Sequence, residues 1–277
     1  MEKKELKTTK SGKLSKILLS ETEGLSFSAI FKALRNKDVK INGKRVNSDL
    51  TVNEGDVIEI YYSSTSKKDD EEVVVYSDDN VIVAYKKSGV LSETFYNELS
   101  EKYGELYFIH RLDRNTDGVM IFARNKIAEK ELLQGFKYRT FDKKYLARVY
   151  GVMPKKEDVL FGYLKKNSDE SEVTVTDEKV KGSVPIKTGY RVLEKCGDTS
   201  LLEVTLYTGK THQIRAHLAH VGHFIVGDGK YGDNVFNRAK KAKSQQLTAY
   251  KLTLYFDKKS PLYYLDKKEF VVAGRVK

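Results

Sequence analysis

The segment IHRLDRNTDGVMIFARN, residues 109–125, places three polar side chains, His110, Arg111 and Asp113, between an apolar run and a turn at 116–118. An apolar strand, VMIFA, is predicted after the turn. Functional side chains tend to sit on loops held between buried elements, which favours a chemical role for the Asp113 carboxylate. A loop aspartate more often caps its turn through its side chain. From these residues alone both interpretations of Asp113 stay open.

A second polar segment, TGKTHQIRAHLAHVGHFIVGDGKYG, spans residues 208–232. Thr211 is predicted to cap a helix at its N-terminus. Arg215 neighbours an apolar position, so its side chain is expected to point away from the core and toward whatever the helix covers. The inner face of this helix is predicted to consist of Ile214, Leu218 and Val221.

Four of the five histidines lie in this second segment, which raises the question of a metal site. The i, i+4 ligand pair of the HExxH type is missing, and the helix contains no carboxylate. No metal is therefore expected. These side chains are predicted to satisfy backbone groups or to contact RNA: His212, His217, His220 and His223.

Residues 227–232, GDGKYG, form a literal G-x-G-x-x-G. In a dinucleotide-binding fold this pattern follows a strand and opens a helix within a βαβ unit. Here it follows a helix and a very short apolar run. The pattern therefore predicts a turn that brings the backbone close to a neighbouring segment, and not a dinucleotide site.

The run DKKYLARVYG, residues 142–151, alternates so that one strand face is aromatic and apolar. A tyrosine in such a strand is usually part of the core, and this is the ordinary interpretation of Tyr145.

Residues 11–62 are typical of a small α/β module. Ser26 is predicted to cap a helix whose apolar residues fall at helical spacing. Asn42-Gly43, between two short runs in VKINGKRV, predicts a two-residue hairpin because such a turn needs positive φ. NEGDVIEIYY then predicts a turn followed by an alternating strand. The apolar helix positions are Phe27, Ile30, Phe31 and Leu34.

Basic residues crowd one helix end and the hairpin of this module. Crowding of like charges is repulsive unless an anion relieves it, which favours phosphate binding over a merely solvated face. SFSAIFKALRNKDVKINGKRV and EGDVIEI resemble the S-four RNA-binding domain, first known from a small-subunit ribosomal protein. The resemblance implies that helix and hairpin together grip structured RNA. The residues concerned are Arg35, Lys37, Lys40, Lys44 and Arg45.

Residues 63–72, SSTSKKDDEE, have the composition of a linker. The remainder, 73–277, has many short β-rich runs that do not alternate regularly with long helices. An α+β domain on a mixed, mostly antiparallel sheet flanked by helices is therefore expected.

Composition narrows the class of partner. Lysine and arginine number 50 against 39 acidic residues, a formal charge of +11, which favours nucleic acid or an anionic surface. No run approaches the roughly 18 apolar residues of a spanning helix, and the N-terminus lacks the apolar core of a secretory signal. Cys196 is the single cysteine, so no internal disulfide is possible. A cytoplasmic monomer without membrane association or an obligate protein partner is expected.

Taken together, the three segments resemble the catalytic domain of the RluA-type pseudouridine synthases, which modify ribosomal and transfer RNA. The matching runs are HRLDRNTDGVMIFAR, KKYLARVYG and TGKTHQIRAHLAHVGHFIVGDGKYG, in the family's order. The resemblance implies isomerisation of uridine to pseudouridine without a cofactor, on RNA that is expected to be ribosomal, with transfer RNA as the alternative.

The resemblance also implies roles for individual residues. Asp113 is implied to be the indispensable carboxylate, attacking sugar or ring or acting as a base. Arg215 is implied to pair with Asp113, and Tyr145 to stack on the uracil. Arg111 is implied to fill the gap left by the flipped base. Further substrate contacts are expected from His110, Thr211, His212 and Gln213.

Three positions depart from the family pattern. Lys87 stands where a proline is usual, Asp117 where a serine is usual, and Lys210 where an arginine is usual. Because Asp117 is expected on a turn, Asp117→Ser is predicted to leave activity within about threefold.

Two other classes stay open from the residues. A non-catalytic RNA-binding protein would keep the basic module and use the large domain as a scaffold. A hydrolase would use Asp113 and Asp117 as a carboxylate pair.

Overall fold

A computed structural model describes residues 2–22, 25, 27–62, 73–166, 172–273 and 276. The chain divides into two compact units, one made of residues 1–72 and 93–105 and the other of 73–92 and 106–277. The predicted cap Ser26 and the predicted linker 63–72 lie outside the described residues. In the part of the chain that the structure describes, no helix is long and apolar enough to cross a membrane.

The first unit contains a four-stranded antiparallel sheet in the order β1-β6-β3-β4 and a small two-stranded ribbon, β2-β5. Its sheet includes a strand that lies before residue 11. The elements are β1 (Glu2–Lys7), β2 (Gly12–Lys13), α1 (Leu14–Glu21), α2 (Phe27–Arg35), β3 (Val39–Ile41), β4 (Lys44–Val46), β5 (Thr51–Val52), β6 (Val57–Tyr62) and α3 (Ser92–Tyr103).

Both local predictions for this unit are confirmed. β3 and β4 form the hairpin, with Asn42 and Gly43 at positive φ. Helix α2 buries Ile30 and Leu34 against the alternating strand β6. The hydrophobic pattern therefore fixes which face of each element forms the core of this unit.

The described residues of the second unit form eleven strands. Nine follow the order β13-β12-β14-β15-β11-β16-β10-β8-β7, with β17 beside β16 and β9 beside β10. Among the described strands only β10 and β16 pair in parallel. The strands are β7 (Val74–Ser77), β8 (Val81–Lys86), β9 (Tyr107–Phe108), β10 (Asp117–Ala123), β11 (Asp142–Tyr150), β12 (Glu157–Lys166), β13 (Val173–Thr176), β14 (Val184–Cys196), β15 (Thr199–Leu206), β16 (Leu247–Thr253) and β17 (Glu269–Val271).

Helices cover parts of this sheet. Leu132 of α4 packs with Val119 and Ile121 of β10, and Ala216 of α5 packs with apolar residues of β12, β13 and β14. The unit is an α+β fold on a mixed, mostly antiparallel sheet, as predicted. Its helices are α4 (Lys126–Tyr138), α5 (Gln213–His220), α6 (Asn234–Ala239) and a 3-10 helix at Tyr263–Leu265.

Helix α5 begins one residue later than predicted. Its N-cap is His212, at φ 55° and without a side-chain capping bond, and the prediction that Thr211 caps the helix is wrong. Ile214 and Leu218 are buried as expected, but Val221 lies at the C-cap and is 37% exposed. The helix ends before this last predicted inner position.

Candidate active site

The loop that carries Asp113 connects β9 to β10 and is fastened on both sides of that residue. Ser92 Oγ donates to the Leu112 carbonyl at 2.9 Å and accepts from the Leu112 amide at 3.0 Å. The Thr116 amide donates to the Asp113 carbonyl at 3.1 Å. With the backbone bonded on either side, the Asp113 carboxylate is presented from a fixed position.

Lys86 holds this loop from a second direction. Its side chain is fully buried, and Nζ donates to the carbonyl oxygens of Lys87 (3.2 Å), Val90 (2.9 Å) and Arg114 (3.2 Å). An ammonium has three donors and tolerates burial only when they are satisfied. Lys86 therefore ties the turn after β8 to the residue that follows Asp113. No motif in the sequence pointed to Lys86.

Arg215 of α5 bridges two carboxylates. Its Nη1 donates to Asp113 Oδ2 at 3.0 Å, while Nε and Nη2 donate to Asp228 Oδ2 and Oδ1 at 2.7 and 2.9 Å. The two-pronged bond to Asp228 fixes the plane of the guanidinium. Only 9% of the Arg215 side chain is exposed, against 24% for Asp113. Asp228 thus fixes Arg215 on its buried side, whereas the Asp113 carboxylate remains partly exposed to solvent.

Asp228 was not among the predicted site residues. It lies in the G-x-G-x-x-G turn, where it is buried and also accepts hydrogen bonds from the amides of Lys230 (2.9 Å) and Tyr231 (3.2 Å). The predicted close approach of this turn is confirmed, because a Cβ on Gly227 would lie 2.1 Å from the Ser244 carbonyl oxygen. A fully buried aspartate almost always has a partner, but the burial of Asp228 could not be deduced from the sequence, so no sequence signal pointed to it.

The charges of this pair are set by burial and by each other. Burial raises the pKa of Asp228, but the hydrogen bonds and charge of Arg215 outweigh burial and lower it overall. Burial lowers the pKa of Arg215, and the two carboxylates outweigh that effect and raise it. Both groups are therefore ionised at neutral pH.

His212 stands between Asp113 and Tyr231. Its Nε2 is 3.8 Å from Asp113 Oδ2, and its Nδ1 is 3.0 Å from the Tyr231 hydroxyl, which accepts from the Val173 amide. Burial lowers the pKa of His212, against the opposing effect of Asp113. Its left-handed backbone costs on the order of 1 kcal/mol, a cost typical of functional sites.

Tyr145 is buried on β11, opposite Val204 and Ala249. Burial, and next the charge of Asp113, raise the pKa of its hydroxyl. Tyr145 therefore lies in the electrostatic field of Asp113 and keeps its proton at neutral pH. The structure brings Asp113, Arg215, His212 and Tyr145 together.

The four other predicted substrate contacts lie in different surroundings. His110 Nε2 accepts from the Ile121 amide at 3.2 Å, its ring stacks on Phe136, and burial lowers its pKa to about 3. Gln213 is buried and bonds Thr208, Lys210 and the Lys187 carbonyl. Arg111 and Thr211 are exposed, as are the variant positions Lys87 and Lys210.

Asp117 is not on a turn, which corrects the expectation from the sequence. It is the first residue of β10, is 1% exposed, and accepts hydrogen bonds from Tyr85 and from Thr248, the latter at 2.8 Å. Because its carboxylate bonds these two hydroxyls, it is not presented beside Asp113 as a hydrolase pair would require.

The remaining histidines of the second segment bond protein groups. His217 is fully buried with Nδ1 3.0 Å from Thr188 Oγ1, His220 Nε2 is 2.9 Å from Asp177, and His223 Nδ1 is 2.9 Å from the Tyr150 carbonyl oxygen. Within the described ranges, no three His, Cys, Asp or Glu residues are grouped so that they could hold a metal ion.

Comparison with known proteins identifies the family. Residues 73–220, more than half of the chain, match the model of the RNA pseudouridylate synthases. The chain belongs to this family. The matched span contains Asp113, Tyr145 and Arg215. The members of the family are isomerases that act on RNA.

Relatives extend the likeness over most of the chain. An RNA pseudouridine synthase of Chlorobaculum parvum is 31% identical over 268 residues, 85% of this chain and 80% of that protein. The ribosomal large subunit pseudouridine synthase C of Vibrio cholerae is 28% identical over 250 residues, 81% and 78% of the two chains. The solved structure of human RNA pseudouridylate synthase domain containing 1 is 29% identical, with a TM-score of 0.60 over 67% of this chain and 79% of that one.

Proposed function

We propose that this pseudouridine synthase isomerises specific uridines in the RNA of the large ribosomal subunit, in the cytoplasm. The name of the Vibrio cholerae relative supports the choice of RNA, and the positive charge of the chain suits a large folded polyanion. The glycosidic bond to N1 breaks, ribose C1′ bonds to C5, the proton leaves C5, and N1 finally carries a proton. Atoms balance without a cofactor.

We assign Asp113 as the catalytic carboxylate. The observation that carries this assignment is the ion pair, in which Arg215 reaches Asp113 with Nη1 while buried Asp228 holds its other nitrogens. A guanidinium whose plane is fixed in this way holds the Asp113 carboxylate in one orientation. Both protein contacts use Oδ2, so Oδ1 is the oxygen assigned to the reacting nucleotide.

Tyr145 is assigned as the platform for the uracil. The charge of Asp113 acts on the Tyr145 hydroxyl. The aromatic face of the ring suits a base that has been removed from its stack. Because burial and Asp113 raise the pKa of its hydroxyl, the hydroxyl acts as a donor. The Tyr145 hydroxyl can accept the C5 proton only if it gives its own proton to another group at the same time.

The target uridine has to leave the helical stack before Asp113 can reach its sugar. Arg111, exposed and two residues before Asp113, is assigned to fill the gap, since a planar guanidinium stacks on bases. His212, the N-cap of α5, and the exposed Thr211 that precedes it are assigned to contact the substrate. We now assign His110 and Gln213 to packing and to holding the loop, because of the contacts described above.

The N-terminal module is proposed to be an S-four-like RNA-binding domain over residues 11–62, joined by 63–72 to a catalytic domain at 73–277. The exposed side chains of Arg35, Lys37, Lys44 and Arg45 support this proposal. Lys40 is a weaker candidate, because it is half-buried and lies 3.8 Å from Glu59. These cations surround the hairpin formed by β3 and β4.

The test is to incubate the protein with uridine-labelled large-subunit ribosomal RNA and to measure pseudouridine, free uracil and unchanged uridine. Asp113→Asn keeps the shape but removes the charge, so isomerisation is expected to vanish while RNA affinity changes less than tenfold, since affinity comes mostly from phosphate contacts. Asp177→Asn, at an exposed aspartate bonded to His220, is the matched control and should retain full activity.

The three products separate the alternatives. Free uracil would indicate a hydrolase, and RNA bound but unchanged would indicate a binding protein. Turnover by Asp113→Asn at even a tenth of the wild-type rate would contradict the assignment of this aspartate.

A further inference from the structure

A basic segment follows the Asp228 turn in the second unit. We call residues 234–246, NVFNRAKKAKSQQ, the basic arm; it contains four basic residues and no acidic residue. All four are exposed. Lys240 pairs with Asp198 at 2.5 Å. Within the described part of the chain, Arg238, Lys241 and Lys243 form no ion pair with an acidic side chain.

The basic arm is fixed to the loop that contains Asp228. Asn237 Oδ1 accepts from the Gly227 amide at 2.7 Å, and Asn237 Nδ2 donates to the Asp228 carbonyl at 3.1 Å. Ser244 lies against Gly227, where no side chain would fit. The arm and the carboxylate that orients Arg215 therefore keep a constant position relative to each other.

The arm is also fixed to the loop that contains Asp113. Gln245 is buried, and its Nε2 donates to Thr116 Oγ1 at 2.8 Å. The Thr116 amide in turn donates to the Asp113 carbonyl. The arm is thus anchored to both loops that contain the carboxylates in contact with Arg215.

Two cavities border the arm. One of about 450 Å³ is lined by four cations, Arg148, Lys240, Lys241 and Lys243, by Gln245, and by one acidic residue, Asp117. The other, about 750 Å³, is lined by Arg238, Lys241 and Lys243 and by Gly227 and Gly229 of the Asp228 turn. Concave surfaces lined by several cations suit phosphate oxygens and sugar hydroxyls.

We propose that the basic arm binds the sugar-phosphate backbone of the RNA substrate next to the flipped uridine. The inference deepens the proposed function, because it names a second contact for the same RNA. Uncompensated cations on an arm anchored to both of these loops would receive phosphates flanking the target nucleotide. Phosphate contacts of this kind set register and orientation on a nucleic acid without reading its sequence.

The test compares two triple variants of the full chain. Arg238→Gln, Lys241→Gln and Lys243→Gln remove three charges from the arm, whereas Lys130→Gln, Lys258→Gln and Lys259→Gln remove three exposed charges elsewhere in the same unit. Binding of deproteinised bacterial large-subunit ribosomal RNA is measured from low to high salt. Each lost phosphate contact removes about 0.7 to 0.9 from the slope of log affinity against log salt. The arm variant should therefore lose roughly two to three units of slope, and the control less than one.

Equal slopes for the two triple variants would overturn the proposal. A second measurement uses the unaltered chain, so it does not depend on how the variants fold. RNA containing 4-thiouridine is cross-linked to the wild-type protein by light, and nucleotides should be found on the peptide that spans 238–246. Cross-links confined to other peptides would also overturn it. Pseudouridine formation by the wild type is measured separately. If pseudouridine forms but the slopes and cross-links do not involve the arm, only the proposal for the arm is wrong. If no pseudouridine forms, the proposed function is wrong.

Discussion

Asp113 and Asp117 are four residues apart in the sequence and have opposite surroundings. Asp113 has 24% of its side chain exposed and pairs with Arg215. Asp117 is 1% exposed and accepts hydrogen bonds from Tyr85 and Thr248. The first is placed to meet a reactant, and the second joins β8, β10 and β16.

We expect Asp117→Ser to lower stability while activity at 25 °C stays within about threefold, because serine is the usual residue here. The shorter side chain removes the acceptor for the Tyr85 and Thr248 hydroxyls, and each buried polar group that loses its partner costs about 1–3 kcal/mol. Urea unfolding measures the loss. Asp117→Asn, which retains one acceptor oxygen, should lose less; an unchanged unfolding midpoint for Asp117→Ser would contradict the structure.

His217 makes the stability of the protein depend on pH. Burial lowers its pKa from 6.5 to about 4, so the folded protein keeps the ring neutral. A histidine in the unfolded chain is protonated below about pH 6.5. Between these values the unfolded state binds more protons, so the free energy of unfolding falls as the pH falls.

We expect this histidine to remove about 2 kcal/mol of stability between pH 7 and pH 5. Urea titrations at each pH would show a steep decline for the wild type and a shallower one for His217→Gln. His220→Gln, at the exposed end of the same helix, should follow the wild type. A His217→Gln variant as sensitive to pH as the wild type would refute the effect.

At the scale of elements, the short helix α6 positions Asp228. Asp233 caps it by accepting from the amides of Val235 (2.7 Å) and Phe236 (2.8 Å). The helix then presents Asn237, 7% exposed, to the Gly227 amide and the Asp228 carbonyl. Asn237 is thus a positioning residue that acts through Asp228 on Arg215.

Asn237→Ala is expected to lower kcat about tenfold and to change KM less than threefold. A misplaced Asp228 would shift Arg215 and so disturb the geometry at the proposed catalytic carboxylate, whereas RNA affinity comes mostly from phosphate contacts elsewhere. Pseudouridine formation at several RNA concentrations separates the two constants. The exposed Asn97 of α3, outside the basic arm, supplies the control, Asn97→Ala. A rise in KM with kcat unchanged would show that Asn237 acts on RNA binding instead.

At the scale of the whole molecule, two basic regions are assigned to RNA binding, the N-terminal module with its β3–β4 hairpin and the basic arm. Replacing Arg35, Lys37, Lys44 and Arg45 by glutamine should lower the salt slope of ribosomal RNA binding by about three units. Isomerisation of a short RNA that carries only the target loop should be unaffected. The control replaces Lys4, Lys7, Lys10 and Lys16, which are exposed in the same unit.

An equal loss of slope in the control would show that general charge, and not the hairpin, binds the RNA. Loss of activity on the short RNA would show that the module acts in chemistry as well as in binding. Either result would contradict the role proposed for the module.

The sequence by itself determined the elements and the family. Alternation of apolar residues placed Tyr145 on the buried face of β11, and Asn42-Gly43 specified its hairpin, because both depend on neighbouring residues alone. The three linked motifs indicated Asp113 and Arg215 without any coordinates. These features depend on the order of neighbouring residues, so they can be predicted without knowledge of the tertiary fold.

Only the tertiary structure decided what surrounds each polar group. Asp228 and Arg215 are thirteen residues apart and Lys86 and Arg114 are twenty-eight apart, and their bonds exist because the sheet brings distant loops together. The same folding buried Asp117 and turned His110 toward Phe136. Burial depends on contacts between segments far apart in the chain, so no local pattern encodes it, and burial decides whether a carboxylate reacts or supports the fold.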